Sequence, residues 1–165
     1  MVNQMRYAGG MSEPRWLTDD EQRAWRRLAA VVLKLPSELE RQLQSDAGMS
    51  HYEYWVLAAL SEAPERTLQL KDLAARSNAT LSRLSHVVTR LEKRGWVVRE
   101  PCPHDARANN AVLTEEGWEK VVATAPGHVE HVRSLVFDAL DDTDVDDLAR
   151  VCDAILDRLD ARPQG

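Results

Sequence analysis

The chain has 165 residues, of which 44% are hydrophobic and 29% are charged, and its formal net charge is −6. This apolar fraction is enough for one folded core, and seven glycines and seven prolines are too few for a collagen-like, linker-like or turn-rich β-sandwich protein. The longest apolar stretches are far shorter than the roughly 20 residues of a membrane helix, and the N-terminus lacks the apolar core of a signal peptide. We therefore expect a soluble, mainly helical protein of the reducing cytoplasm.

The N-terminal segment predicts a tail followed by a long helix. We expect residues 1–15 to be disordered or frayed, as chain ends commonly are. Thr18 and Glu21 have the spacing of a capping box, in which a hydroxyl and a carboxylate accept hydrogen bonds from free amide groups at a helix start. The helix of residues 16–47 then keeps apolar positions at helical spacing, although Pro36 removes one backbone donor and is expected to bend or interrupt it.

The middle of the chain predicts a helix-turn-helix. Ser50 and Glu53 form a second capping box and begin a compact helix. Residues 68–77 indicate a short helix, and Thr80 is a good N-cap for the helix that follows and that ends at Gly95. Two helices joined by so short a turn are the helix-turn-helix arrangement. The buried stripe of the second helix is expected to comprise Leu81, Leu84, Val87, Val88 and Leu91.

A β-hairpin is predicted next, followed by two more helices. The β-rich segments 96–99 and 111–113 predict two strands, and the polar, turn-forming residues 101–110 join them into a wing. Thr114 is expected to cap a helix that reaches Leu140 with a kink at Pro126, and Asp141 to cap the last helix. The order of elements therefore indicates a mainly α fold with a small β wing.

The long terminal helices indicate how the chain is organised into domains. Their apolar stripes are too long to be covered by a winged helix-turn-helix domain at residues 48–113. We therefore expect residues 16–47 to form an N-terminal dimerisation helix and residues 114–162 to form C-terminal dimerisation helices, which pack on a second copy of the chain.

Charge is distributed unevenly along the sequence. Residues 66–107 contain nine lysines and arginines against four acidic residues, a local charge of +5, whereas the rest of the chain carries −11. A positive field on the helix-turn-helix and wing favours binding of a polyanion, because released counterions supply affinity for phosphate. The alternative is an ordinary solvated helix face.

The helix after Thr80 has a polar side opposite its buried stripe. Short hydroxyl and imidazole groups near the start of such a helix can read base edges in the major groove, and arginine or lysine further along can meet phosphate. An amphipathic surface helix is the alternative. The polar side consists of Ser82, Arg83, Ser85, His86, Thr89, Arg90 and Lys93.

Several motifs stand in a distinctive order in this region. They are the segments 73–76 and 91–97, then Asp105-Ala106-Arg107-Ala108 and Val112-Leu113-Thr114-Glu115-Glu116-Gly117. The combination of Asp-x-Arg with a following Leu-Thr-x-x-Gly is the specific part. Together with the order of helices, these motifs resemble the MarR family of winged-helix transcriptional regulators, from about residue 17 to residue 159.

The resemblance implies a homodimer that places its recognition helices in successive major grooves of a palindromic operator and its wing arginines in the flanking minor grooves. By position, Arg107 matches the minor-groove arginine, Asp105 the acidic residue that holds the wing, and Thr80 the cap of the recognition helix. The other DNA-contacting residues that it implies are Arg76, Ser82, Arg83, Ser85, His86, Thr89, Arg90, Lys93 and Asn109.

Some residues depart from the family pattern. Ala106 and His86 stand where arginines are frequent, and Asn109 and Asn110 replace more apolar strand residues. These departures argue against a strong guanine preference at His86, and they predict either fewer minor-groove contacts or additional hydrogen bonds from the asparagines.

Members of this family respond to phenolic ligands, oxidants or metals, so the resemblance also implies a pocket for a small aromatic or phenolic effector between the first, second and fifth helices. Ordinary packing is the alternative for each candidate side chain. The candidates are Trp25, His51, Tyr52, Trp55 and Trp118.

Metal and redox chemistry have weak support. His128 and His131 stand three residues apart on one helix and could chelate a metal, but without a nearby third ligand they are more simply surface residues. We expect Cys102, between two prolines, to be exposed on the wing, and Cys152 to lie in the core.

The sequence thus predicts a homodimeric repressor that binds a palindromic DNA duplex and is released by a small effector. No nucleophile with a base, paired carboxylates, phosphate-binding glycine loop or complete metal set is found, so we predict no enzyme activity, no cofactor and no metal. The alternative from another class is a small-molecule-binding helical dimer that lacks useful DNA affinity.

Overall fold

The structure is a computed structural model that describes residues 14–77, 79–102 and 105–161, with the backbone alone for residues 105–107. Most of the predicted N-terminal tail therefore lies outside the described residues. The described helices are α1 (Asp19–Ala47), α2 (His51–Ser61), α3 (Leu70–Arg76), α4 (Leu81–Lys93), α5 (Glu115–Leu135) and α6 (Asp142–Asp160), and the strands are β1 (Thr67–Gln69), β2 (Val97–Cys102) and β3 (Asp105–Leu113). The chain divides into two compact units, at residues 1–37 and 38–165.

In the first unit, the start of α1 is as predicted. The Thr18 amide donates to the Glu21 carboxylate at 2.8 Å, and the Glu21 amide donates to the Thr18 hydroxyl at 3.2 Å, which completes the capping box. The helix continues past Pro36 to Ala47. Pro36 therefore does not interrupt α1, because a proline removes one helical hydrogen bond while those on either side of it remain, and the alternative of a bend stays a prediction.

The second unit contains a hydrophobic core built from α2, α3, α4 and the sheet. Ser50 and Glu53 form the predicted capping box of α2, which brings the apolar side of that helix into the core. The largest fully buried side chains are Leu43, Met49, Val56, Leu57, Leu60, Leu73, Leu84, Val88, Leu91 and Val97.

The sheet has three antiparallel strands in the order β1–β3–β2. Leu68 and Gln69, which the sequence predicted to be helical, lie in β1 because they pair with Ala111 and Asn110 of β3. Hydrogen bonding to a segment distant in sequence overrides the local apolar spacing. The wing strands are also longer than predicted: most of residues 101–110 is strand instead of turn.

The helix α4 follows its predicted capping. The Thr80 hydroxyl accepts a hydrogen bond from the Arg83 amide at 3.2 Å, and Gly95 has φ +75°, a left-handed conformation that ends the helix. Leu84, Val87, Val88 and Leu91 are buried, as expected. Leu81 is 53% exposed, so its predicted burial is wrong. As the first residue of α4, it points back toward the N-terminus of the helix and beyond the core.

The C-terminal helices differ from prediction at one boundary and at one cysteine. α5 ends at Leu135, and a short 3-10 helix, Phe137–Ala139, precedes Leu140 instead of a continuous α-helix. Asp141 and Asp144 form a capping box at the start of α6. None of the described α6 residues is buried, so Cys152 is exposed and its predicted core position is wrong for the single chain.

Cys102 also differs from the expectation. Its side chain is 6% exposed, so it does not lie open on the wing. It is the last residue of β2, and the side-chain Nε2 of Gln69 lies 3.2 Å from its sulfur, so the Gln69 side chain contacts this thiol.

Among the helices of the described residues, none is long and apolar enough to cross a membrane.

Candidate nucleic-acid interface

Most of the predicted polar side of α4 is exposed, and Ser85 and Thr89 are its half-buried members. The N-cap at Thr80 sets the rotation of the helix, because a start shifted by one residue turns every side chain by about 100°. The side chains that this rotation leaves exposed on α4 are Ser82, Arg83, His86, Arg90 and Lys93. Arg76, at the end of α3, is exposed as well.

Ser85 and Thr89 are half-buried and face β2 of the wing. The Thr89 hydroxyl donates to the Ser85 carbonyl oxygen at 2.9 Å. Arg99 of β2 donates to both residues, with distances of 2.7 Å to the Ser85 carbonyl oxygen and 3.0 Å to the Thr89 hydroxyl. Their polar groups therefore take part in contacts between the helix and the wing.

Arg90 belongs to an ion pair that ties α4 to α2. Its Nε donates to the Glu53 carboxylate at 2.9 Å, and the Glu53 side chain is only 5% exposed whereas that of Arg90 is 53% exposed. Burial raises the pKa of Glu53, but hydrogen bonds from the Ser50 amide and from Arg90 outweigh it and hold the pKa below its usual value. Because about half of the Arg90 side chain is exposed to solvent, it can also approach a phosphate.

An open groove lies beside the N-terminal half of α4. Its volume is about 590 Å³, and Glu40, Ser50, Tyr52, Thr80, Ser82, Arg83, His86, Val87 and Arg90 line it. The Arg83 guanidinium lies 5.0 Å from the centre of the Tyr52 ring, a cation–π distance, and the Tyr52 hydroxyl is 2.8 Å from the Ser77 hydroxyl. Aromatic and cationic groups therefore meet in this groove.

The wing stands on the other side of α4. Asp105 and Arg107 lie in β3, where Asp105 is opposite Cys102, but their side chains are outside the described residues. Asn109 is exposed and pairs with Pro101 across the hairpin. A cleft of about 360 Å³ separates the wing from the helix-turn-helix, and its lining includes Gln69, Lys71, Leu81, Ser85, Ala108 and Asn109.

The five residues predicted to line an effector pocket make different contacts in the structure. Tyr52 stacks on Trp55, with ring centres 6.3 Å apart. The His51 ring lies 6.0 Å from that of His128, and Arg66 lies over the Trp118 ring at 4.3 Å. Trp25, on the N-terminal unit, is 59% exposed. Of the five, Tyr52 lines the groove beside α4.

His128, one of the two spaced histidines, packs between α2 and the end of α1. Its ring centre is 4.6 Å from that of Tyr54, and its Nδ1 lies 3.1 Å from the amide oxygen of Gln42. Burial, then the nearby His51 and His131, lower the pKa of His128. In the part of the chain that the structure describes, no group of three or more candidate metal ligands is found.

Sequence reasoning missed the contacts that hold this surface together. Arg99 and Glu92 form an ion pair between β2 and α4, and Arg94 donates to the Gly48 carbonyl oxygen at 2.9 Å while lying 4.9 Å from the centre of the Trp96 ring. The sequence indicates for Arg99 only that it contributes to the positive charge of residues 66–107. The available signal was the spacing of Ser85, Thr89 and Glu92, which places three acceptors on one side of a helix just before a strand.

Comparisons with known proteins agree with this fold. A sequence model of the MarR family matches residues 47–108. Sco3205, a MarR family transcriptional regulator from Streptomyces coelicolor crystallised in complex with DNA, is 45% identical; the match covers 92% of this chain and 95% of that chain, with a TM-score of 0.87. AbsC, another MarR family regulator from Streptomyces coelicolor, is 39% identical over 90% of this chain and 100% of that chain, with a TM-score of 0.86.

A more distant relative is the transcriptional repressor MprA of Escherichia coli K12. It is 26% identical over 117 residues, which are 71% of this chain and 66% of MprA. The predicted winged-helix fold class is therefore confirmed. The relatives are transcriptional regulators and not enzymes, which agrees with the prediction for this chain.

Proposed function

The chain belongs to the MarR family of transcriptional regulators, and from this premise we propose that it is a cytoplasmic, homodimeric repressor that binds a palindromic DNA operator. One observation carries the proposal: the exposed polar side of α4 stands next to a β-hairpin within a segment whose net charge is +5. A helix for the major groove and a hairpin for the adjacent groove are the two readers that this arrangement provides. Sco3205, which is similar over most of its length, was crystallised with DNA.

The two readers have different tasks in this proposal. Ser82, Arg83 and His86 are exposed near the start of α4, where side chains reach base edges. Arg76 and Lys93 are exposed where they can meet phosphate on either side of the groove. Arg107 is assigned to the minor groove by its place in the Asp-x-Arg motif, with Asp105 as the residue that holds the wing.

The proposed dimer rests on the apolar side of α6. Residues 16–47 and 114–162 are proposed to form the dimerisation helices, and residues 48–113 the DNA-binding domain. Leu148, Val151, Ile155 and Leu159 follow helical spacing on one face and are 40%, 44%, 38% and 57% exposed. Such a stripe is stable when another apolar surface covers it, and a second copy of the chain supplies one by symmetry. Within the N-terminal unit, Trp25, Leu28 and Val32 form a similar exposed stripe on α1.

Repression is proposed to be relieved by a small aromatic or phenolic effector. The groove beside α4 combines the Tyr52 ring with Arg83, Arg90 and His86, which suits an aromatic ring bearing an acidic group. A ligand at that place would occupy side chains assigned to DNA, so binding of the ligand and binding of DNA would compete.

The test is selection of bound fragments from genomic DNA, followed by titration of a selected duplex and a scrambled duplex by fluorescence anisotropy. Tight binding of the selected duplex is expected, with log K falling linearly with log salt at a slope of several units for a dimer with several phosphate contacts per half. A protein with no preference between the duplexes and a flat salt response would be the helical small-molecule binder instead.

A further inference from the structure

Arg99 lies in β2 and directs its guanidinium group at one side of α4. Its Nη2 donates to the Ser85 carbonyl oxygen at 2.7 Å and to the Thr89 hydroxyl at 3.0 Å, and the Ser85 hydroxyl lies 3.3 Å away. Its Nη1 donates to the Glu92 carboxylate. Because residues 85, 89 and 92 are four and three positions apart, these acceptors form one stripe along the helix.

These contacts occupy Arg99 within its own chain. The side chains of Arg99 and Glu92 are 24% and 29% exposed, and the carboxylate neutralises the guanidinium charge. A guanidinium presents a planar fork of donors, so it can hold several acceptors at once in a fixed direction. Arg99 therefore differs from the exposed Lys93, although both belong to the positive segment.

The backbone of Arg99 belongs to the wing. It pairs with Ala111 of β3, in the hairpin that also contains Asp105 and Arg107. One residue thus joins the strand pair of the wing to the face of α4 between Ser85 and Glu92.

We propose that Arg99, held by Glu92, is a positioning residue that sets the recognition helix and the wing at a fixed distance and angle. Both readers then enter their grooves at a fixed spacing along the duplex. Arg99 itself contributes no phosphate contact. This inference rests on the proposed function, because it concerns how that DNA surface is assembled.

The test uses the double variant Arg99→Gln/Glu92→Gln, which removes the ion pair without changing the net charge. Binding is measured for the selected duplex, for a mixed-sequence duplex, and for the selected duplex with one base pair inserted between the positions read by helix and wing. The variant is expected to lose roughly tenfold in affinity for the selected duplex. Its affinity for mixed-sequence DNA and its salt slope should stay unchanged, and its penalty for the inserted base pair should shrink.

A matched control is Arg66→Gln/Glu115→Gln, which removes another ion pair, of 2.9 Å, between the turn before β1 and α5. This variant should keep the wild-type penalty for the inserted base pair. Arg99→Lys retains the charge but not the fork, so it should behave like the double variant, and it serves for the same test if the double variant does not fold. Thermal unfolding monitors the fold of each variant.

Two results obtained with the variants would overturn the inference. An equal loss of affinity for all three duplexes, with the salt slope smaller by about one per protomer, would make Arg99 a phosphate contact. Wild-type binding and spacing preference in the double variant would leave the pair without a positioning role. Failure of the proposed function is seen separately, in a wild-type protein that does not distinguish the selected from the mixed-sequence duplex, and it would overturn the inference too.

Discussion

At the residue scale, the wing and the recognition helix are assigned two kinds of readout that mutation can separate. A cation in the minor groove contributes charge, whereas an exposed imidazole in the major groove exchanges hydrogen bonds with particular bases. His86 is exposed on α4, and the family motif assigns Arg107 to the minor groove. Loss of Arg107 should therefore affect most sequences, and loss of His86 should affect one position of the operator.

We predict that Arg107→Ala weakens binding to most duplexes by about 1–3 kcal/mol per half-site and reduces the salt slope by about one per half-site. His86→Ala should leave the slope unchanged and relax preference at one base position by about 1–3 kcal/mol. Anisotropy titration and binding-site selection measure the two effects. A His86→Ala protein that selects the wild-type motif with wild-type stringency would show that the base-reading face is misassigned.

Glu53 is the buried charged residue on which the contact between α2 and α4 depends. We predict that Glu53→Gln lowers the free energy of unfolding by about 1–3 kcal/mol near neutral pH, because it removes charge-assisted hydrogen bonds to the Ser50 amide and to Arg90. Thermal and denaturant unfolding measure this loss. Glu38→Gln, which removes a carboxylate paired with the exposed Arg41, should remain near wild type.

The pH dependence of this effect has a definite sign. The folded-state pKa of Glu53 lies below its usual value, so its contribution is present above the unfolded-state pKa of about 4.3. It is lost as the pH falls through the folded-state pKa. The difference between wild type and Glu53→Gln should shrink over that range, and a difference independent of pH would contradict the assigned charge state.

At the element scale, the join between the wing and α5 depends on one glycine. A Cβ at Gly117 would lie 2.1 Å from the Trp96 carbonyl oxygen and 2.7 Å from a methyl carbon of Leu113, and the first of these is backbone. We predict that Gly117→Ala lowers the free energy of unfolding by about 3 kcal/mol or more. Gly127→Ala, on the same helix with nothing within 4 Å of a Cβ, should be neutral or stabilise by up to about 1 kcal/mol. Equal effects in chemical denaturation would contradict this packing.

The contact between α2 and α5 is predicted to weaken in acid. Burial lowers the pKa of both His51 and His128, so the folded state favours their neutral forms. Stability is then greatest above the unfolded-state pKa of about 6.5 and declines as the pH falls below it. His128→Gln should reduce this decline in thermal unfolding between about pH 7 and pH 5. The exposed His86→Gln serves as control and should decline as the wild type does.

At the scale of the whole molecule, the exposed stripe of α6 is expected to disappear in the homodimer. Fully burying a large apolar side chain is worth roughly 1.5–3 kcal/mol, so several such residues stabilise a dimer well. We predict that Ile155→Asp gives monomers or aggregates in light scattering and lowers operator affinity. Ala154→Asp adds the same charge about 100° around α6 from Ile155, outside the apolar stripe, and should remain a dimer. A dimeric Ile155→Asp protein with wild-type affinity would show that the dimer is built elsewhere.

The distribution of charge along the whole chain agrees with the proposed roles of its segments. The positive segment 66–107 is part of a chain whose net charge is −6. For the proposed function, we expect the acidic remainder of the chain to disfavour DNA binding elsewhere and the positive segment to attract the duplex.

Elements whose causes are local could be predicted from the sequence. Each predicted capping residue, including Thr18, Ser50, Thr80 and Asp141, starts a helix in the structure, because a cap acts through hydrogen bonds within about three residues. The N-cap and helical periodicity predict most of the exposed side of α4, whereas Ser85 and Thr89 are half-buried because Arg99 of β2 contacts them. The motifs were enough to indicate the family, which the comparisons confirm.

Contacts that join segments distant in sequence could not be predicted from the sequence and depend on the tertiary structure. Leu68 lies in a strand because it pairs with Ala111 of β3, and the Gln69 side chain of β1 contacts the sulfur of the buried Cys102. The Arg99–Glu92 pair likewise depends on β2 packing against α4. Local periodicity carries no information about which strand will pair with which segment, since that pairing depends on the free energy of the whole fold, so these contacts could be found only in three dimensions.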